Sequence, residues 1–413
     1  MPEVNDPRTR PGRVPGDGTG HGSGAPDRVR ESMRVLPRPF AVPLTLLTGR
    51  PYAGQRAVHF TPTRHLVNAV MSIACGVALS GTALWAAGWL LVLLLPGWAM
   101  TLHGARNLRM MIYHQCAHQN MWRRRGADAA LGRLLAAVLL VQDFGRYSVE
   151  HVGDHHALHH MTRRDPTVQA VLISLELRPG MSRRQMWRRM LGKVFSPWFH
   201  ARFLTARFRS YYSFASTGGR VASAAGLVTV AALATWLHLW LFVLLAWVLP
   251  MTVLFQMSNV LRLCVKHTFP APDRTVRRGK AYFAGLTNAI FIGEAAPSPE
   301  LPRPRRYAAW ARWWTRMLLI HFPSRYLVLT GDTVVHDFHH RHPMNKDWAN
   351  YIFAREEDHR RGSPGWPDYH EVWGLVAAID LVFDSLREAD PEEYHPDRIT
   401  EVNHRELFMA FDD

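Results

Sequence analysis

Cysteine is scarce in this chain. There are three, Cys75, Cys116 and Cys264, and none belongs to a CxxC pair. That speaks against a disulfide framework or a zinc ribbon and fits a reduced, cytosol-facing protein. The N-terminus lacks an apolar h-region: residues 1–30 are rich in Pro, Gly, Asp and Arg, so no secretory signal is read there. Roughly the first 35 residues are expected to be disordered. The Gly-rich piece Gly16–Gly24 has neither the spacing nor the preceding strand of a dinucleotide fingerprint. Neither HExxH nor GxSxG occurs, which weighs against a zinc or serine hydrolase. Acidic residues are few, 33 against 49 Lys and Arg, giving a net charge of +16 and a pI near 10.4. Such a balance suits anionic lipid or an acidic protein. Zinc-finger, RNP and helix-turn-helix patterns are missing, so nucleic acid is not expected as a partner.

What is present is concentrated. The apolar residues, 48% overall, gather into two uncharged blocks, about Leu66–Ala105 and Val221–Leu261. Each block is about twice the ~20 residues that one membrane-spanning helix needs. Each also has an aromatic, uncharged centre, Trp85–Trp89 and Trp236–Trp240, suited to a turn at the membrane interface. The pattern predicts two helical hairpins with spans at about 66–85, 88–105, 221–237 and 240–261. Every Arg and Lys lies outside these blocks, so the positive-inside rule places both termini and the middle segment in the cytoplasm. From Arg178 to Arg220 there are ten Arg and Lys, no Asp or Glu, and interleaved aromatics such as Trp187, Phe195 and Trp198. This reads as interfacial amphipathic helices. Near the C-terminus, a stripe from Val372 to Leu386 predicts a helix over Glu371–Arg387, capped by Asp368 and Glu371.

Histidine is abundant, 23 residues, and its arrangement matters more than its number. His114 and His118 stand at i, i+4. His156, His159 and His160 stand at i, i+3, i+4, and so do His336, His339 and His340. Each set therefore lies on one helix face. Lone histidines such as His65 and His103 are read as structural. Eight clustered imidazoles exceed what one tetrahedral zinc can use, and imidazole suits iron as well. Two metals account for the number. Iron is the choice where oxygen must be activated at an unactivated C–H bond, because zinc has no redox chemistry. The membrane setting implies a long apolar substrate. A protein that binds or carries metal without catalysing oxidation is the reading from another class.

HQCAH, HALHH followed by MTRRDP, and HDFHH followed by RHP, in that order around two apolar blocks, resemble the membrane fatty-acid desaturase and hydroxylase superfamily. The resemblance covers roughly residues 65–345. It implies an all-α membrane protein whose two hairpins carry a cytoplasmic helical cap holding a di-iron site. The organisation expected is a tail at 1–35, a membrane domain at 36–345 and a C-terminal cap segment at 346–413. It implies two iron ions, dioxygen as co-substrate, and a ninth ligand, His267, after the fourth span. His155, His151, His342, Asp337 and Asp154 are further metal or supporting candidates. Glu150, Asp165 and Asp332 join the two aspartates as groups able to hold a ligand N–H. Gln115 stands where the first box often carries an acid, and Asn259 is eight residues before His267 rather than about one turn. The implied reaction is desaturation of a lipid or fatty-acyl chain presented as acyl-lipid, acyl-CoA or acyl carrier protein. The alternative is a hydroxylase or ketolase of an isoprenoid or secondary-metabolite chain. HPGG, GxGxxG and ferredoxin cysteines are missing, which implies a separate ferredoxin or cytochrome b5-type electron donor.

Overall fold

The computed structural model describes residues 28–152, 159–272 and 279–399. The chain is mostly helical. Four helices are long and apolar enough to cross a membrane: Pro62–Ala86, Gly88–Ala117, Thr217–Trp236 and Trp240–Lys266. Below they are helices one to four. Thr61 caps helix one by accepting a hydrogen bond from the Arg64 amide, and Pro62 follows where no amide is needed. Helix one breaks at Ala87 and Gly88, both at positive φ (52° and 58°). Trp85 and Trp89 flank the break, 88% and 80% exposed. His238 (φ 55°) breaks the chain between helices three and four in the same way, beside the exposed Trp236.

Helices one and two pack antiparallel through small residues. Side-chain carbons built on Gly76, Gly97 or Gly104 would collide with Thr101, Ser80 and Ala69 respectively. Ser72 Oγ donates to Met100 O across the seam at 2.8 Å. This close approach is how helices associate where no water drives them together. Trp98 Nε1 ties helix two to helix four by donating to Leu245 O at 2.7 Å. Helices two and four run further than hydropathy predicts, to Ala117 instead of about 105 and to Lys266 instead of about 261. Both contain wide π turns, at Leu108–Tyr113, Val243–Val248 and Pro250–Leu254. Pro250, with no N–H, cannot complete the α ladder there.

A buried core extends from Leu102 and Ile112 on helix two to Leu386 and Tyr394. Three expectations change. Residues 28–35, assigned to the disordered tail, form a short helix and a 3-10 turn. Arg30 is buried there, bonding Arg50 O (3.1 Å) and Ala41 O (2.9 Å), and Met33 packs on Leu44, Trp313 and Met317. The C-terminal helix runs Leu375–Glu388 rather than from Glu371. Its predicted stripe holds at Ile379, Val382, Phe383 and Leu386, but Val376 is exposed. Glu371–Trp373 is instead a strand pairing in parallel with Ala289–Phe291. The helical stripe missed this because Glu371 is drawn into a buried ion network.

Candidate metal centre

Two groups of imidazoles converge between the C-terminal ends of helices two and four. In the first, His114 and His118 ride the last turns of helix two, His151 follows the helix Phe144–Val149, and His339 comes from the helix His336–Arg341. His114 Nε2 lies 2.7 Å from His339 Nε2 and 3.2 Å from both His118 Nε2 and His151 Nε2. In the second, His336 Nε2 lies 3.1 Å from His267 Nε2 and 3.1 Å from His340 Nε2. Within each group the candidate ligand atoms all fall within 4.8 Å of one another. His160 abuts the second group, ring centroids 4.7 Å from His267 and 5.0 Å from His340. The groups are neighbours, with the His336 and His339 rings 6.3 Å apart.

A neutral imidazole nitrogen has one in-plane bonding direction. His114 Nε2 has three other nitrogens at hydrogen-bonding distance, more than it can pair. Lone pairs brought together in this way fit a cation placed among them. The donor set is all nitrogen, which suits iron, zinc or copper better than magnesium or calcium. Burial and the neighbouring His267, Lys266 and Arg262 hold His336 well below the usual histidine range, which favours its neutral form. Asp332 is pushed up to about 6 by burial, against the pull of Arg262.

The surroundings fix the rings. Thr287 Oγ1 stands 3.4 Å from His267 Nδ1, leaving Nε2 for the group. Tyr147 stacks on His151 (5.0 Å, 16°), and the Arg109 guanidinium lies over Tyr147 and Tyr113, 4.3 and 4.5 Å from their centroids. Asp165 Oδ2 is 4.0 Å from His160 Nδ1 and accepts the Met161 amide at 2.7 Å. Asp337 turns away from the imidazoles. Its carboxylate takes Arg355 Nε (3.0 Å to Oδ1) and Nη2 (2.7 Å to Oδ2). Arg355 Nη1 reaches Glu371 (3.1 Å), which also pairs with Arg50.

The structure thus brings together His114, His118, His267, His336, His339 and His340, with His160 alongside. It raises His151, a secondary candidate in sequence, into the first group. The one sequence signal for it was its position just ahead of the second box. His159 is in neither group; its carbonyl accepts from the Thr162 amide and hydroxyl. His342 pairs with Asp358 at 3.4 Å, away from both groups. Asp154, His155 and His156 lie outside the described residues. Gln115 accepts from Asn120 at 3.2 Å, and Asn259 accepts from Arg106; neither joins a group. Sequence reasoning missed Arg355 entirely, because nothing local marks its partner 18 residues earlier.

The fatty acid desaturase family model matches residues 83–323, more than half of the chain. The chain belongs to the fatty acid desaturase family. A search of curated proteins gives no match. Family membership makes this desaturase-family chain an oxidoreductase of lipid chains, and the four apolar helices mark it as an integral membrane protein. The match stops before the third histidine box. His336, His339 and His340 join the site through their spacing in sequence and their geometry.

Proposed function

We propose that this chain is a non-haem di-iron desaturase that introduces a double bond into the acyl chain of a lipid. The observation carrying this reading is the pair of adjacent all-nitrogen groups, built where apolar helices end, in a desaturase-family chain. His114, His118, His151 and His339 would hold one iron. His267, His336 and His340 would hold the other, with His160 beside them and His156 and His159 as further ligands implied by the family. The irons would supply the oxygen-activating redox chemistry. The chain's own residues hold the imidazoles neutral and aimed, keep water out by burial, and fix the distance and angle at which a substrate carbon is presented. Two helical hairpins with the site on the cytoplasmic side follow from the charge distribution. Residues 36–345 would form the membrane domain and 346–399 part of the cap.

Electrons would come from a separate acidic ferredoxin or cytochrome b5-type protein. Arg183 and Arg189 are already paired with Asp384 and Glu176, whereas Arg184 and Arg188 on the same helix are exposed. These two are the better dock, and reversing their charge should raise the donor's KM. Mass spectrometry of the product tests the main reading. Loss of two hydrogens supports it. Gain of one oxygen would move the chain to the hydroxylase alternative. One zinc per chain, with no oxygen consumed in the presence of donor and lipid, would sink both.

A further inference from the structure

A cavity of about 580 Å³ opens beside helix two. Its walls come from the helix Ala41–Thr48, the first turns of helix one, the inner half of helix two, the turn Ser324–Val328 and residues 349–353. On helix two the lining residues are His103, Asn107 and Met111, spaced by four. His114 and His118 follow on the same helix, past the π turn Leu108–Tyr113. Met111, the last lining residue on helix two, lies three residues before His114, within that π turn. The cavity's lining on helix two therefore ends three residues short of the first histidine group.

Its chemistry is apolar although polar residues line it. His103 Nδ1 bonds Tyr326 O at 2.7 Å while its ring stacks on the Tyr326 ring, centroids 3.8 Å apart. Asn107 donates to His103 O at 2.8 Å. Arg325 spends its guanidinium on Leu46 O, Leu329 O, Gly331 O and the Tyr351 hydroxyl. A headgroup or free anion would have to displace these bonds, whereas an alkyl chain need break none. The mouth is apolar too. Phe40, Leu46 and Phe322 at its rim are exposed, and Leu318, Leu319 and Ile320 beside it form an exposed run, Leu319 at 71%. Such a surface belongs against lipid rather than water. The helix leading into this run, Arg303–Arg316, is rich in Arg and Trp, as expected at a membrane interface.

We propose that this cavity receives the substrate's apolar chain sideways from the lipid, and that Met111 sets how far the chain runs toward the first histidine group. The floor is tight: a side-chain carbon on Gly331 (φ +61°) would lie 3.1 Å from Met111 Cβ. This inference rests on the desaturase reading but can fail separately from it. The test uses the full chain in nanodiscs of phosphatidylcholine carrying some diazirine-tagged acyl chains, with adducts mapped by mass spectrometry. Adducts on Met111, Phe322 and Tyr326 are expected, and M111W should lower the inner adducts roughly tenfold. M111A and M111W should move the oxidised carbon in opposite directions along the chain. H339A should keep the adducts while losing oxidation, which separates chain binding from chemistry. Adducts confined to the exposed faces of helices one to four would overturn the proposal. So would an unchanged oxidised carbon in M111A, which only removes bulk and so guards against a misfolded M111W.

Discussion

The two histidine groups share one short helix but differ in how the rest of each is built. His114 and His118 stand at the end of a helix that begins at Gly88, so a continuous helix, widened by one π turn at Leu108–Tyr113, and the packing of helices one and two place them. The second group has no such platform. His267 leaves helix four in extended conformation (φ −131°, ψ 139°) and bridges to Thr287. His336 and His340 sit on a helix of six residues, far too short to persist alone. What holds that helix is Arg355, fully buried between Asp337 on one side and Glu371 on the other. His339 shares that helix, so the first group draws one ligand candidate from it and the second group two, and the second leans harder on ion pairs formed across long stretches of chain.

This contrast can be broken at several levels. Replacing a ligand should have the largest effect. H118A and H340A should each take iron from about two per chain toward one and cut turnover by more than ~100-fold, the upper end of what loss of a supporting contact costs. If H151A loses as much iron as H118A, the first group is as the structure draws it; full iron in H151A would move that position to His155 or His156. Next comes the clamp. R355A leaves Asp337 buried without its partner, at a cost of about 3–5 kcal/mol. The second group should empty first, seen as partial iron loss in metal analysis together with a lower melting temperature. R355K should restore only part, because an ammonium cannot make the two-pronged contact. Equal loss from both groups would mean that the clamp supports the whole core.

A smaller effect is expected from G97L. It overfills the seam between helices one and two, costing about 1–3 kcal/mol, and should weaken the first group more than the second. The smallest is in acid. Burial alone would raise Glu371, but Arg355 and Arg50 hold it below its ordinary value of 4.5. A depressed carboxylate contributes stability that is complete above 4.5 and fades as pH falls through the lower folded value. Melting temperature should therefore drop more steeply below pH 4.5 in the wild type than in E371Q.

Much of the first group was legible in sequence because helical spacing is a local property. An i, i+4 pair after an apolar run needs no knowledge of distant contacts. The breaks near Trp85–Trp89 and Trp236–Trp240 were legible for the same reason. The Arg355–Asp337–Glu371 network was not. Glu371 read as a helix cap because Asp368 and an apolar stripe surrounded it, and only the fold reveals that Arg50 and Arg355 claim it for a strand end. His103 read as structural, which its bond to Tyr326 O supports. Its place on the same helix as His114 becomes informative only when the cavity beside it is seen.

The reach of the ion network also orders events during synthesis. Arg50 and Glu371 are separated by 321 residues, yet they form one pair. A ribosome will have threaded all four apolar helices into the bilayer well before Glu371 emerges. At ~5–20 residues per second, the stretch from the third histidine box to that glutamate alone takes seconds. Until then the short helix bearing His336, His339 and His340 lacks its anchor. Both groups are therefore completed late, and a metal could fill either one only after the membrane-embedded part is already in place.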